Sequence, residues 1–328
     1  MKLLYVALRH DYGDPSRGHS FEHETFVPAL RSFATEFIYF EIDTLLRVHG
    51  FGRMQSLLWD IVQRQQPDVL FCVLFENQLD RAVLRRISTE SATVTLNWFC
   101  DDHWRFEAFS RHWAPSFNWV ATTSREAFHA YQMLPGVHPI LTQWATNIGA
   151  SPRIDADEAH DVVFIGQWRP IRERYVRYLR AHGIDVAAYG HGWPAGRLRG
   201  NEMMEVLGSS RIGLNFSEAS STSYRFRRPK PQLKARPFEL GASGTAIVSE
   251  DDPDIRGFYE PDKEIVIFKT RRSLYRAVRE LLDDEEKRSR IATAGHQRTL
   301  LEHTYTQRFA RIFSTMGVRH ALTTKLTT

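Results

Sequence analysis

The segment KARPFELGASGTAIVSE, which begins at Lys234, places a single carboxylate among cations and small residues. Lys234 and Arg236 precede Glu239, and Gly241 and Gly244 follow it before an apolar run that predicts a buried strand. An ordinary amphipathic helix that ends at a glycine would have this pattern. A ligand site in which the acid accepts hydrogen bonds and the cations stabilise negative charge would have it too.

The chain from Ala219 to Phe238 is strongly basic and contains no acidic residue. Its cations are Arg225, Arg227, Arg228, Lys230, Lys234 and Arg236. Three interpretations fit: a solvated basic loop, a phosphate clamp, or a nucleic-acid surface on which Tyr224 and Phe226 stack against bases. Nucleic-acid binding through several phosphates would weaken steeply with salt, whereas binding of a small phosphorylated ligand would weaken far less.

Glycine and arginine residues follow two predicted strands in the second half of the chain. Gly166, Arg169 and Arg172 lie in FIGQWRPIRER, where a strand leads into a helix. The free N–H groups and dipole at such a helix start favour an anion, although one glycine is weaker evidence than a dinucleotide-binding fingerprint. Gly190, in YGHGW, either forms a simple turn or lets the backbone approach a flat ligand closely.

Polar side chains follow two other predicted strands. Asn215 and Ser217 end the run RIGLNFS, and Asp101 and Asp102 follow TVTLNWFC. Ligands of doubly wound sheets bind at the carboxyl ends of strands, so all four residues are site candidates. The two aspartates could equally form an Asx turn or cap the next helix.

Candidates for general acid–base chemistry lie after the first predicted strand. His19 is in the loop that follows this strand, and Glu22 and His23 come just after it. Such residues are equally ordinary on a surface loop. The 14 histidines of the chain are scattered without a convincing ligand spacing, so the sequence predicts no metal site.

Composition is typical of a globular protein with two domains. The 328 residues are 42% hydrophobic and 25% charged, and the formal net charge is +4. The amino-terminal apolar run is short and ends at RHDYGD, and no stretch approaches the ~20 apolar residues of a membrane span. The two cysteines, Cys72 and Cys100, each lie in an apolar strand-like run, which predicts no disulfide and favours a reducing cytoplasm.

Strand-like runs alternate with helical patterns along both halves of the chain. The predicted strands cover residues 3–8, 36–42, 68–75, 93–100, 118–124, 138–146, 161–168, 185–193, 211–217, 244–250 and 264–269. Strands without polar alternation, separated by helices, predict parallel α/β sheets that are covered on both faces. We interpret residues 147–160, where the pattern lapses, as a linker, and residues 273–316 as almost entirely helical.

Four segments occur in an order that resembles the spore-maturation CgeB-like glycosyltransferases. They are VVFIGQWRPIRERYVRYLRAHGIDVAAYGHGW, GLNFS, KARPFELGASGTAIVSEDDPDIRGFYEPDKEIVIF and AGHQRTLLEHTYTQRF. The resemblance covers roughly residues 160–310, and it is most specific in the glycine-plus-acid stretch and in HTYTQRF. NWFCDDHWRF followed by NWVATTSREAFHAY looks like the acceptor-side domain of this family.

The resemblance implies the GT-B architecture, in which two Rossmann-like parallel-sheet domains face a cleft. Residues 1–150 would form the acceptor-side domain, and residues 151–304 the nucleotide-sugar-binding domain, which is related to that of family-4 transferases. Residues 305–328 would form a tail and a helix that packs back on the first domain. The amphipathic run YTQRFARIF fits that last expectation.

The resemblance also implies roles for the segment around Glu239. In related transferases an acid at this position hydrogen-bonds the ribose hydroxyls, and the small residues after it let the helix lie against the diphosphate. Lys234 and Arg236 would neutralise the leaving diphosphate, whose growing negative charge fixed cations stabilise. The pattern departs from the family at Pro231, where family-4 enzymes carry a second glutamate that contacts the donor sugar.

The sequence thus predicts two sets of site residues. The donor-binding set is Gly166, Arg169, Arg172, Gly190, Asn215, Ser217, Lys234, Arg236, Glu239, Gly241 and Gly244. The catalytic set is Asp101, Asp102, His19, Lys234 and Arg236. His19 lies where these enzymes bind the acceptor, and a base there would suit an inverting enzyme.

We therefore predict a metal-independent glycosyltransferase with a nucleotide-sugar donor. Its unidentified acceptor could be anionic, such as a phosphorylated glycan or a nucleic acid. Two alternatives remain: a nucleotide-sugar epimerase- or hydrolase-like GT-B enzyme, and a non-catalytic nucleic-acid-binding module that uses residues 225–236.

Overall fold

The apolar runs of the two halves form two separate parallel sheets. A computed structural model describes residues 1–147, 159–198, 202–217 and 231–319. The chain divides into two compact units, one made of Met1–Gln143 and the chain from Tyr305 onward, the other of Trp144–Thr304. The α/β class predicted from the sequence is therefore confirmed, with one parallel sheet in each unit.

The sheet of the first unit has six strands in the order β2-β1-β3-β4-β5-β6. They are β1 (Lys2–Ala7), β2 (Glu36–Glu41), β3 (Val69–Cys72), β4 (Val94–Phe99), β5 (Trp119–Thr122) and β6 (His138–Leu141). The first strand pairs on both sides, because Leu3 lies opposite Phe37 of β2 and Val69 of β3. Ligands of doubly wound sheets bind where the chain switches direction in this way, at the β1–β3 junction.

Within residues 1–143 and 305–319, the described part of this unit, there are seven α-helices. They are α1 (Phe21–Arg31), α2 (Ile42–Gln65), α3 (Arg81–Glu90), α4 (Asp102–Arg105), α5 (Arg111–Trp113), α6 (Arg125–Gln132) and α12 (Tyr305–Thr315). Short 3-10 turns lie at Asp11–Gly13, Pro15–Arg17 and Ala114–Ser116, and a π-helical turn lies at Phe106–Ser110. The long helix α2 is interrupted at Gly50, whose φ is 71°.

The last helix, α12, packs on α1 through aromatic side chains. The rings of Phe26 and Tyr305 are 4.9 Å apart, and those of Phe33 and Phe313 are 5.3 Å apart. All four side chains are fully buried. Burial of large aromatic surfaces is strongly favourable, so α12 is an integral part of the first unit.

The sheet of the second unit has five strands in the order β11-β10-β9-β7-β8. They are β7 (His160–Ile165), β8 (Val186–Tyr189), β9 (Ser210–Asn215), β10 (Ala246–Glu250) and β11 (Val266–Phe268). The helices are α7 (Pro170–Ala181), α8 (Glu202–Gly208), α9 (Arg236–Ala242), α10 (Arg271–Asp283) and α11 (Glu285–Glu302), with a 3-10 turn at Ile255–Gly257. The first strand of this sheet, β7, lies between β8 and β9, so the chain switches direction at the β7–β9 junction.

The first unit's amino-terminal segment ends at Gln143, whereas the sequence predicts a boundary at residue 150. Trp144, Ala145 and Thr146 are buried, and the Thr146 N–H donates to the carbonyl of His303 at 3.2 Å. This backbone pairing ties the segment to the second unit. Most of the predicted linker, residues 148–158, lies outside the described residues.

Candidate functional site

Two glycines hold the backbone together at the carboxyl ends of β7 and β8. A Cβ on Gly190, whose φ is 129°, would lie 2.2 Å from the Gly166 carbonyl oxygen. The Gly166 N–H donates to the Tyr189 carbonyl at 2.8 Å, and the indole N–H of Trp193 donates to the Gly166 carbonyl at 2.9 Å. Gly190 is therefore required for close approach of two backbone segments, which fixes the turn between β7 and α7.

The two arginines predicted beside this turn differ in position. Arg172 is buried and donates from Nη1 to the Gln167 carbonyl at 2.8 Å, so it stabilises the turn through a hydrogen bond. Arg169 precedes α7 as its N-cap residue, and its Nη2 lies 3.4 Å from Gln167 Oε1. Arg169 is therefore the more accessible of the two cations.

The ends of β9 and β10 are connected by side-chain hydrogen bonds. Asn215 donates to the hydroxyl of Ser249 at 2.9 Å. The Ser217 N–H donates to Glu250 Oε2 at 3.0 Å, and its hydroxyl lies 3.4 Å from the same oxygen. Both predicted residues thus lie at the carboxyl edge of the sheet, and the structure adds Glu250, which the sequence analysis missed.

Glu239 and Arg236 form an ion pair in the first turn of α9. Arg236 Nη1 lies 2.8 Å from Glu239 Oε2, and the Glu239 side chain is only 7% exposed. Arg236 Nη1 also contacts the sulfur of Met203 on α8, at 3.1 Å. Nε of Arg236 is buried and meets no hydrogen-bond acceptor among the described residues. The acid and the cation that the sequence singled out are therefore brought together, next to a guanidinium N–H that can still donate.

Lys234 is partly buried just before α9. The remaining cations of the basic stretch, at residues 225, 227, 228 and 230, lie outside the described residues together with Tyr224 and Phe226. The predicted nucleic-acid surface therefore stays a prediction.

Gly241 and Gly244 have structural roles that the sequence analysis did not foresee. A Cβ on Gly241 would lie 2.1 Å from the Thr299 hydroxyl, so this glycine lets α9 pack closely on α11. Gly244 has a φ of 76° and lies in the turn that leads into the amino-terminal end of β10. The candidate site lies at the carboxyl ends of the strands, so this turn is at the opposite edge of the sheet. The predicted contact of Gly244 with a diphosphate does not fit this position.

Asp251 and Asp252 follow β10, and their pKa values are shifted in opposite directions. Burial raises the pKa of Asp252 to about 6, and neighbouring acids add to this effect. Asp252 accepts a hydrogen bond from the Asp254 N–H at 2.8 Å. Burial would also raise the pKa of Asp251, but hydrogen bonds from Arg256 and Lys269 outweigh it and hold that pKa below its ordinary value.

The carboxyl edge of the first sheet contains a pocket of about 350 Å³ at the β1–β3 junction. Apolar and aromatic side chains share its lining with charged and amide groups: Leu8, Tyr12, Gly13, Ile42, Asp43, Leu46, Arg47, Phe75, Glu76 and Gln78. The rings of Tyr12 and Phe75 meet edge to face, 5.4 Å apart. A concave surface of this mixed character suits a small organic ligand.

Three histidines lie close together after β1. The rings of His19 and His23 are 4.4 Å apart, and those of His10 and His19 are 5.9 Å apart. Burial lowers the pKa of His23, and the nearby His19 and Arg9 lower it further. His10, which the sequence analysis missed, accompanies the predicted His19.

Glu22 lies in the first turn of α1 near Asp101. Loss of hydration raises the pKa of Glu22 to about 7, and the carboxylates of Asp101 and Asp11 oppose its ionisation too. The Cys100 sulfur lies 3.9 Å from Glu22 Oε1. A carboxyl group that titrates near neutral pH can exchange protons in a reaction, so Glu22 becomes a stronger candidate than its sequence position suggested.

Asp102 does not share this environment. It is buried, and its Oδ2 accepts a hydrogen bond from the hydroxyl of Tyr131 at 3.0 Å. Burial raises its pKa to about 6, although hydrogen bonds with Ser110, Thr122 and Tyr131 act in the opposite direction. The catalytic role of Asp102 stays a prediction: this side chain is part of an internal hydrogen-bond network, whereas Asp101 is only partly buried.

None of the helices in the described ranges is long and apolar enough to cross a membrane. Within the same ranges, no group of three His, Cys, Asp or Glu side chains is arranged to hold a metal ion.

Comparisons with known proteins concern both units. Residues 169–314 match the family model described as "Glycosyl transferase-like". No curated protein sequence matches the chain.

Solved structures with the same fold include two cyanobacterial proteins. Anabaena HepE in complex with UDP superposes with a TM-score of 0.62 at 12% identity, over 96% of this chain and 100% of HepE. Sucrose-phosphate synthase from Thermosynechococcus elongatus superposes with a TM-score of 0.64 at 10% identity, over 96% of this chain and 99% of the synthase. Both likenesses span the two units and confirm the GT-B fold.

Proposed function

We propose that the chain is a glycosyltransferase of the GT-B group, which transfers a sugar from a nucleoside-diphosphate-sugar donor to a hydroxyl group of an acceptor; the family-model match over residues 169–314 and the shared fold support this. The observation that supports this most is the Glu239–Arg236 pair at the start of α9, beside the β9 and β10 ends. A carboxylate and a guanidinium side by side match a nucleoside diphosphate, which presents ribose hydroxyls next to phosphates.

In the proposed complex, Glu239 accepts hydrogen bonds from the ribose hydroxyls. Its second oxygen already accepts from Arg236, which orients the carboxylate. Arg236 is 19% exposed and has further N–H donors that can meet a phosphate oxygen. One guanidinium thus connects the two parts of the ligand.

The charge of the leaving diphosphate is balanced by side chains in this proposal. Arg236, Lys234 and Arg169 supply cations, and the turn held by Gly166 and Gly190 lets backbone N–H groups approach the phosphates. A reaction that uses these groups would proceed without a metal ion. Metal independence is part of the proposal, and its test is turnover in the presence of a chelator.

The donor most consistent with the comparisons carries uridine. The HepE structures contain UDP, and one of them contains UDP-glucose. The finer CgeB-like identity is proposed from the sequence resemblance. A cytoplasmic location is likewise proposed, since neither Cys72 nor Cys100 forms a disulfide.

The proposal is tested by screening nucleoside diphosphates and nucleotide sugars for thermal stabilisation of the protein. A ligand at 100 times its dissociation constant stabilises the folded state by about 2.7 kcal/mol. We expect UDP to raise the melting temperature and the increase to persist at moderate salt. A well-folded sample that responds to none of these compounds would refute the proposal, and a response to single-stranded nucleic acid that disappears with salt would favour the binding module instead.

A further inference from the structure

Residues 46–53 of α2, with the sequence LRVHGFGR, form the longest run of exposed residues in the described part of the chain. Three large apolar side chains lie in this run: Leu46 is 39% exposed, Val48 68% and Phe51 46%. The next longest exposed run, residues 14–19, contains no leucine, valine or phenylalanine. Exposed apolar side chains that lie together mark an interaction surface, whereas single ones need no explanation.

The segment is a surface excursion between two anchored parts of α2. Ile42 before it and Met54 after it are fully buried in the core of the first unit. Gly50 interrupts the helix between them, and a Cβ added to Gly50 or Gly52 would meet nothing within 4 Å. Residues 46–53 therefore lie at the surface with open space beside both glycines.

Both arginines of the segment face solvent. The side chains of Arg47 and Arg53 are 52% and 61% exposed. Their ion pairs are long, since Arg47 Nη2 lies 3.9 Å from Asp43 Oδ2 and Arg53 Nη1 lies 4.0 Å from Asp60 Oδ2. An exposed ion pair of this length is worth little, and residues 44–59 contain no acid. The exposed surface of the segment is therefore positive.

Asp43 compensates Arg47 only weakly, because other groups already occupy its oxygens. Its side chain is 4% exposed, its Oδ1 accepts the backbone N–H of Arg9 at 2.7 Å, and its Oδ2 lies 2.6 Å from His10 Nδ1. A guanidinium has five N–H donors. Arg47 therefore keeps donors for a negatively charged group outside the protein.

The pattern of apolar residues fits a lipid surface better than a protein groove. A groove binds one continuous apolar stripe of a helix, with anchors three or four residues apart. Leu46 and Val48 are only two residues apart, and Gly50 interrupts the helix before Phe51. A fluid lipid interface has no such requirement, because apolar side chains enter it on any side of the segment while cations bind the headgroups.

We propose that residues 46–53 dock the protein on a membrane surface that carries anionic lipids. Val48 and Phe51 enter the boundary between headgroups and acyl chains, and Arg47 and Arg53 bind lipid phosphates. So few apolar side chains and cations give a weak, reversible attachment that needs both contributions. The docking surface belongs to the first unit alone and does not depend on the proposed function.

Co-sedimentation of the intact chain with lipid vesicles tests the docking surface. We expect wild type to pellet with vesicles made of equal parts phosphatidylcholine and phosphatidylglycerol, and to stay in solution with vesicles of phosphatidylcholine alone. Binding to the anionic vesicles should weaken as salt is added, because salt screens the attraction between the arginines and the headgroups.

Two double variants separate the apolar contribution from the charged one. Val48→Ser/Phe51→Ser removes the inserting side chains and should weaken binding by about tenfold or more. Arg47→Gln/Arg53→Gln should weaken it by about 25-fold, because each cation near an anionic surface contributes about fivefold. All four positions are exposed, so the urea midpoint of both variants should stay close to that of wild type.

Met133→Ser and Arg279→Gln are matched controls. Met133 is 81% exposed and the Arg279 side chain 53%, and both residues lie outside the segment, so these variants should pellet as wild type does. Three results would each overturn the proposal: wild type that does not bind anionic vesicles, equal binding to neutral and anionic vesicles, or undiminished binding by folded Val48→Ser/Phe51→Ser. An acidic protein as the partner of this surface would give the first of these results.

Discussion

The carboxyl edges of the two sheets differ in how their charges are compensated. In the second unit, Glu239 pairs with Arg236, and Glu250 accepts from the Ser217 N–H. In the first unit, Glu22 lies among other acids, and its pKa is raised to about 7. The Glu239–Arg236 pair suits binding of an anionic, hydroxyl-bearing ligand, whereas Glu22 can change protonation near neutral pH.

The difference has a simple physical origin. Fixed charges need partners that hold one ionisation state, as a guanidinium does for a carboxylate. Groups that transfer protons need an environment in which both ionisation states are accessible, which partial burial and nearby like charges provide.

The largest effect is expected at the close backbone contact between Gly190 and Gly166, at the carboxyl edge of the sheet of the second unit. Gly190→Ala places a Cβ 2.2 Å from the Gly166 carbonyl oxygen, at a φ of 129°. We expect a loss of about 2–4 kcal/mol in the free energy of unfolding, measured by urea denaturation. Gly183→Ala is the control, because its φ is also positive but its Cβ meets nothing within 4 Å, and it should lose only about 1 kcal/mol. Equal losses in both variants would show that the close approach is unimportant.

The next prediction concerns Glu22, at the carboxyl edge of the sheet of the first unit, and the pH dependence of stability. The pKa of Glu22 rises from 4.5 to about 7 on folding, so the folded protein binds the proton more tightly. This contribution is favourable below pH 4.5 and is lost as pH rises through 7, by up to about 3 kcal/mol at 1.36 kcal/mol per pKa unit. Glu22→Gln cannot ionise, so its stability relative to wild type should increase between pH 5 and pH 8.

Unfolding by urea at the two pH values measures this change. Glu286→Gln, at an exposed position on α11, should show no such pH dependence relative to wild type. A stability difference between Glu22→Gln and wild type that is the same at both pH values would mean that folding does not raise the pKa of Glu22.

Variants of Glu239 test whether the carboxyl edge of the sheet of the second unit binds a ribose. Glu239→Ala should weaken UDP binding by about ten- to a hundredfold, because charge-assisted hydrogen bonds are worth about 1.5–3 kcal/mol each and water replaces part of them. Glu239→Gln can still accept one bond and should lie between alanine and wild type. Titration calorimetry with UDP measures all three proteins.

The ion pair adds a stability effect to this prediction. Removal of Glu239 leaves the Arg236 charge, 19% exposed, without its carboxylate, so we expect Glu239→Ala to lose about 1–3 kcal/mol of stability. Equal UDP affinities in the three folded proteins would show that Glu239 serves stability alone.

The smallest effects concern the two cations. Lys234→Ala and Arg236→Ala should each lower the turnover number by about tenfold with saturating donor, because their charges stabilise the diphosphate mainly as it leaves. Arg236→Ala should cost more than Lys234→Ala, since it also removes the partner of Glu239. Steady-state rates with UDP-glucose measure this, and normal turnover in both variants would contradict the leaving-group role.

The sequence by itself determined the number and type of the main elements. Period and composition predicted two parallel α/β sheets, because strands that are buried on both faces are apolar throughout. The lone acid among cations at residues 234–250 marked the segment that the structure places at the second edge. Such predictions succeed because they depend only on residues that are close together in the sequence.

Only the tertiary structure decided which side chains meet. His10 and Asp43 are 33 residues apart, and nothing in either local sequence indicates the contact. The burial of Asp102 beside Tyr131 depends on the packing of α6, which is distant in sequence. Gly241 likewise requires α11, whose Thr299 contacts it. Long-range packing sets burial, and burial sets pKa and accessibility, so these properties follow from the fold rather than from any single segment.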